Sequence, residues 1–509
     1  MSSCDDYLDK LPDDRAEVNS LEKAKQFLVS AYPSHSPNFI FEMSGDNKTD
    51  NGVLYVGQPN QLQAYHWQSI ETEGNDDPKS IWNSNYEACA IANMTMESIG
   101  NSTAEERAVR AEALLCRAYA MFVNANTFCM AWNEDKADEY LGIPYPKVSG
   151  VSVNERGTLR ETYENINADI EEALPMLNDT YLSVPKYHFN AKAAYAFAAR
   201  FNLYYHNWDK AIEYATKALG GNPASLMRDM SSYVTLAGVQ DIHNKWIRTG
   251  ENCNFMMVAS YSIAGRAPWS SSYRRIGHNR DLITTQTFWA KSPWSKGGSA
   301  ATVNALEAAR LQYGSNQGVY MPSIYEDFEV TDKVNNTGYP HIVDPVFTGE
   351  ETILVRAEAY TMKKMYTEAL ADMNIWLTAQ CDTTSPYYIT LTEDYINECL
   401  NGIKMTEVPS RAVGEETIKK PLNPQGFTIE EGTQTNMIHT LLHMRRVTTM
   451  NQGLRWLDIK RWGIEFTHHF DNEPDLVFKA GDLRGAVQLP ADVIDAGLEA
   501  NPRESNSNE

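Results

Sequence analysis

Two stretches of this 509-residue chain are built alike. AARFNLYYHNWDKAIEYATKAL runs from Ala198 to Leu219, and RAEAYTMKKMYTEALADMNIWL runs from Arg356 to Leu377, 158 positions later (356 − 198). At that offset Ala199 falls on Ala357, Trp208 on Tyr366 and Ala211 on Ala369. Each stretch has small residues where two helices must approach closely, then a polar turn, His206-Asn207 in the first, then an aromatic opening the second helix. A helix pair of this kind, about 34 residues long when complete, cannot bury its apolar face alone, so a second copy is what the physics demands. Apolar residues at helical spacing, with many alanines and no proline, also mark Trp82 to Cys129 and Ala191 to Leu219, and predict antiparallel helix pairs. The chain is expected to be mainly α, on a scaffold of tetratricopeptide-type helix-pair repeats.

Between and after the repeats the texture changes. From about Gly220 to Pro345 the chain is rich in Gly, Ser, Pro, Asn and aromatics, as in GRAPWSSSYRRIGHNRD, which predicts long loops with short helices mounted on the scaffold. A second irregular stretch is expected from Cys381 to Thr435, and the closing ESNSNE is a polar tail expected to lack fixed structure. Length and 42% hydrophobic residues are ample for a large core. A formal charge of −23 argues against nucleic acid or an anionic membrane surface as a general partner. No run approaches the roughly 18 apolar residues of a membrane span. Seven cysteines without a CxxC pair predict neither a disulfide framework nor a structural metal site.

The order of several further motifs is specific. An early Cys-Asp-Asp at Cys4 precedes a Trp-led helix, IWNSNYEACAIAN. AEALLCRAYAMF follows, then the Gly-x-Pro exit LGIPYP at Leu141 to Pro146, then the Thr-capped TLRETYENINADIEEALPML from Thr158 to Leu177. Near the end come NQGLRWLDIKRWG and VQLPADVIDAGLEANP. In this order the chain resembles, over nearly its whole length, the SusD/RagB family of Bacteroidetes outer-membrane nutrient-binding lipoproteins. It departs in having Gln452-Gly453 where the family often has Glu-Gly, and Arg445-Arg446 where a Glu-Arg stands upstream.

The resemblance implies a SusD-like fold with a large, irregular, loop-rich ligand-binding face. It divides the chain into a lipidated N-terminal arm and loops (1–80), an N-terminal helical repeat region (81–225), an irregular ligand-binding region (226–345) and a C-terminal repeat region with a loop insert and tail (346–509). It also implies lipidation at Cys4, anchoring at the cell surface on the outer membrane, and a SusC-like TonB-dependent transporter as partner. Capture of oligosaccharide or polysaccharide for import would be the task, with no catalytic residue. RagB-like peptide capture and a helical-barrel glycoside hydrolase are the alternatives.

The residues themselves give no GxSxG elbow, no phosphate-cradling glycine loop and no HExxH. HTLLH sets His439 and His443 one helical turn apart, a spacing that suits a metal but more simply a satisfied pair on a helix face. A sugar ring stacks its C–H face on Trp or Tyr and needs Asp, Asn or Arg for its hydroxyls. Two regions offer both. The N-terminal loops supply Asp46, Asn47, Asp50, Tyr65, His66 and Trp67; the insert supplies Trp269, Tyr273, Arg274, Arg275, Trp289 and Trp294. From Ser260 to Ala300, Arg266, Arg274, Arg275, Arg280, Lys291 and Lys296 stand against Asp281 alone, a local charge of +5 that suits a ligand bearing carboxylate or sulfate. No cofactor is expected beyond a possible structural Ca²⁺ among Asp46, Asp50, Asp76 and Asp77.

Overall fold

The computed structural model describes residues 20–150, 155–335 and 337–503. Cys4 and the tail ESNSNE lie outside the described residues. Three short helices, α1 (Leu21–Leu28), α2 (Asn38–Ser44) and α3 (Pro59–Tyr65), precede the long α4 (Pro78–Ser98), α5 (Ala104–Phe128) and α6 (Leu159–Ala173). The caps are those the sequence signals. Thr103 with Glu106 and Thr158 with Glu161 form reciprocal capping boxes, and Asp77 accepts from the Ser80 amide.

The two similar stretches become α7 (Ala191–Tyr204) with α8 (Trp208–Leu219), and α11 (Gly349–Met362) with α12 (Tyr366–Gln380). Both starts keep the 158-residue offset (349 − 191 and 366 − 208), and so does the turn. His206 and Lys364, again 158 apart (364 − 206), are both left-handed, with φ of 60° and 61°. The copies are neighbours in space, because α8 packs on α11 and so closes the apolar face each pair would otherwise expose. Helix α14 (Thr433–Thr448) lies on α11 and on α13 (Glu393–Asn401). Helix α13 falls inside the stretch expected to be irregular; it buries Ile396 and Leu400, an i,i+4 pair too short to stand out.

NQGLRWLDIKRWG forms α15 (Leu454–Trp462), and its charges are internal. Asp458 accepts from Arg445 Nε (3.0 Å) and Arg461 Nη2 (2.8 Å); Arg461 also holds Glu358 (2.5 Å), and Glu351 bonds both Arg445 (3.3 Å) and Arg200 (3.2 Å). Three arginines and three acids from α7, α11, α14 and α15 thus neutralise one another inside the core, which offsets part of the cost of burying them. Gln452, a departure from the family pattern, donates to Asp344 Oδ1 at 3.1 Å; a glutamate there would set carboxylate against carboxylate.

The segment between the repeats contains a sheet as well as loops. Strands β2 (Asn254–Tyr261), β6 (Asp327–Asp332) and β7 (Thr337–Thr348) form an antiparallel sheet in the order β2-β7-β6. Pro340 and Pro345 within β7 hid it from a reading of periodicity. Helices α9 (Val239–Trp246) and α10 (Arg280–Thr285) complete the insert, and α16 (Ala491–Asp495) the C-terminal part. Four short strands pair as β1 (Thr49–Asp50) with β3 (Ile276–Gly277) and β4 (Tyr313–Ser315) with β5 (Gly318–Tyr320). The last pair is β8 (Phe466–His468) with β9 (Leu476–Phe478). The six cysteines of the described residues are free thiols. None of the described helices is long and apolar enough to cross a membrane.

Candidate functional site

Of the eleven tryptophans in the chain, Trp269 alone is exposed, at 37%. A large ring is left in water here while its position is fixed. Its Nε1 donates to the Gly265 carbonyl at 2.9 Å, and its plane lies at 26° to Tyr325, with centroids 5.7 Å apart. Arg266 grips Glu326, the residue after Tyr325, through two bonds of 2.6 and 2.8 Å, which holds the ring beneath Trp269 in place. Beside it, Tyr313 and Tyr320 face each other across the β4–β5 hairpin with centroids 6.3 Å apart. Arg274 joins hairpin to platform, donating to Ser315 Oγ and to the Trp269 carbonyl (3.2 Å). Burial pushes the half-buried phenols of Tyr273 and Tyr320 up, so both remain neutral hydroxyls at neutral pH.

The N-terminal loops are the second wall. Asp50 takes both arms of the Arg275 guanidinium, Asn51 Nδ2 donates to the Arg274 and Gln317 carbonyls at 2.8 Å each, and Gln61 Nε2 donates to Tyr273 O and Ile276 O at 2.9 and 2.8 Å. The seam is so close that a Cβ on Gly277 would sit 2.3 Å from the Gln317 carbonyl. Next to it, residues 53–56 form a tip with Leu54 94% exposed. The two regions named from sequence do meet, through Asp50, Asn51 and Gln61 on one side and residues 265–277 on the other.

Several residues named from sequence are placed elsewhere. Asp46 is buried; desolvation would raise its carboxyl, but Arg446, Arg455 and Lys420 hold it well below the usual range. Asn47 is buried on Arg446 (2.8 Å). Tyr65 and Trp67 are core rings stacked on His468 at 3.8 and 4.5 Å, and Trp294 stacks on buried His443 at 5.4 Å. These five present no surface to a ligand, which corrects the expectation for each. His66 is tied to Leu62 O (2.7 Å) and Glu473 (3.0 Å). Trp289 is half-buried, its Nε1 on Ala309 O (2.8 Å) and Arg280 5.2 Å over its ring.

His439 and His443 are not a satisfied pair. Burial pushes both rings down to about 3, and His439 Nε2 and both His443 nitrogens have no hydrogen-bond partner among the described residues. The four candidate calcium ligands go to separate uses: Asp46 and Asp50 pair with cations, Asp76 accepts from Ser262 and Ile263, and Asp77 caps α4. No group of three or more potential metal ligands occurs among the described residues. Sequence reasoning missed Tyr325, Tyr313, Tyr320 and Asn51. The signal for the hairpin was YGSNQGVY, two aromatics flanking a Gly- and Asn-containing turn.

A stacked helix-pair scaffold thus bears an irregular insert with one exposed aromatic face. Residues 6–203 match a SusD-like family model described as starch-binding associating with outer membrane. No curated protein matches the sequence. Among solved structures, the fold is similar to a SusD superfamily protein of Bacteroides thetaiotaomicron (17% identity, 95% of this chain and 100% of the other, TM-score 0.62). It is also similar to a putative sugar binding protein of Bacteroides vulgatus (15% identity, 96% and 99%, TM-score 0.64) and to a SusD-like carbohydrate binding protein of that organism (14% identity, 91% and 90%, TM-score 0.55). The chain is thus SusD-like in fold over nearly its whole length.

Proposed function

We propose that this protein captures carbohydrate on the Trp269 face and does no bond-making chemistry there. The observation that carries the reading is the single exposed tryptophan, fixed over Tyr325 and flanked by the planar donors of Arg274. A ring pinned in this way stacks on a sugar without losing rotamer freedom. Beside the face, Asp50 and Glu326 are each held by an arginine, and Asp76 is buried on the Ser262 hydroxyl and the Ile263 amide, so none is presented to a bound sugar as the proton donor or nucleophile of a glycosidase. The family description and the sugar-binding neighbours support the same reading. Within it, the protein sits on the outer membrane at the cell surface through lipid on Cys4, and hands oligosaccharide to a SusC-like TonB-dependent transporter.

The ligand we favour is anionic. Of the six cations between Ser260 and Ala300, Arg266 and Arg275 are paired with acids, whereas Arg274, Arg280, Lys291 and Lys296 meet no acid among the described residues. Isothermal titration with a panel of neutral, uronic-acid and sulfated oligosaccharides tests the reading. Trp269→Ala is expected to weaken binding at least tenfold, about 1.4 kcal/mol, and affinity for the charged ligands to fall with added salt. Binding of peptides alone, or release of reducing sugar, would overturn it.

A further inference from the structure

A cavity of about 80 Å³, separate from the aromatic face, opens between α5, residues 33–38, the β2–β7 ribbon and the start of α15. Most of its wall is apolar, including Phe41, Phe122, Val258 and Leu457, but one end is not. Asp344, 5% exposed, lies there, and its carboxyl oxygens receive only neutral amides, from Asn38 Nδ2 (2.8 Å) and Gln452 Nε2 (3.1 Å). The nearest cation, Arg200, is occupied: it pairs with Glu351 (3.2 Å), donates to Val346 O (2.6 Å) and lies 4.4 Å over the Phe347 ring. Tyr119 stands close to both Asp344 and Arg200, and its hydroxyl has no hydrogen-bond partner among the described residues. His35 lines the cavity too, and burial lowers its ring, so it brings no positive charge. A buried carboxylate facing an apolar, aromatic-lined space with no ion partner is the complement of an ammonium group carried on a small hydrocarbon.

We propose that this cavity binds a compact organic ammonium ion, its charge on Asp344 and its alkyl part against Phe41, Phe122 and Leu457. The volume is about half that of the ~150 Å³ cavity known to hold benzene, so the bound part is a few heavy atoms. Burial pushes the Asp344 carboxyl up to about 6, so the cation-binding form is the one present at neutral pH and is lost below it. A neutral alcohol of the same shape fills the same space but makes no ion pair.

Isobutylamine and isobutanol, titrated against the full chain at constant ionic strength and followed by ligand-observed NMR, test the proposal. At pH 7.5 the amine should bind at least tenfold more tightly than the alcohol, and its affinity should drop about tenfold at pH 5, as a carboxyl near 6 dictates. Asp344→Asn should abolish the preference for amine while leaving carbohydrate binding unchanged; should that variant not fold, the amine, alcohol and pH comparison on the unaltered chain decides alone. Equal binding of amine and alcohol, binding of neither, or an affinity unmoved at pH 5 would overturn the proposal. A saturating amine that displaced carbohydrate would place it on the Trp269 face instead, and would overturn it too.

Discussion

Asp458 shows how much one side chain can hold. It is wholly buried between Arg445 and Arg461, which overcome the desolvation that would otherwise raise its carboxyl. Asp458→Asn leaves two buried guanidinium groups short of charge, and a loss of about 3–5 kcal/mol in urea unfolding is expected. Asp76 acts in the opposite sense. Burial pushes its carboxyl up to about 7, so its contribution to stability is full below the ordinary carboxylate range and is lost as pH rises through 7. Asp76→Asn should therefore gain stability relative to the unaltered chain between pH 5 and pH 8. Parallel unfolding curves at both values would show that Asp76 stays ionised.

Among the elements, the β1–β3 seam decides whether the face exists. A Cβ at Gly277 meets the Gln317 carbonyl at 2.3 Å, and only backbone displacement relieves it. Gly277→Ala is expected to move the β4–β5 hairpin, to cost about 1–3 kcal/mol, and to weaken carbohydrate binding at least tenfold; calorimetry and titration on one sample check both. The helices were legible because alanines and capping residues leave local marks, as Thr158 with Glu161 and the 158-residue offset do. Strands β2 and β7 were not, since their partners lie far apart in sequence and prolines interrupt β7. The same limit applies to the site. Tyr65 and Trp67 stand in as polar a local sequence as Trp269, and what separates them is His468, about 400 positions away, stacked upon two of the three.

At the scale of the molecule, one continuous core joins the N-terminal helices, both repeats and α14–α15. Because the buried arginine and acid network spans four of those helices, the chain is expected to unfold in a single calorimetric transition despite its length. Two resolved transitions would show that the repeats fold separately. The insert behaves otherwise. It leaves after α8 and returns at α11, and the two ends touch: a Cβ on Gly349 would sit 2.0 Å from the Leu226 carbonyl, while Arg228 bonds Glu350 at 2.8 Å and Asn254 at 2.6 Å. Departure and return share one doorway, and Trp294 anchors the inner part of the excursion on Trp376 and His443, so only its outer loops are free to change length. Changes confined to residues 265–277 and 313–320, with the loop at 49–61 that seals them, would therefore reshape the exposed face on an unchanged skeleton.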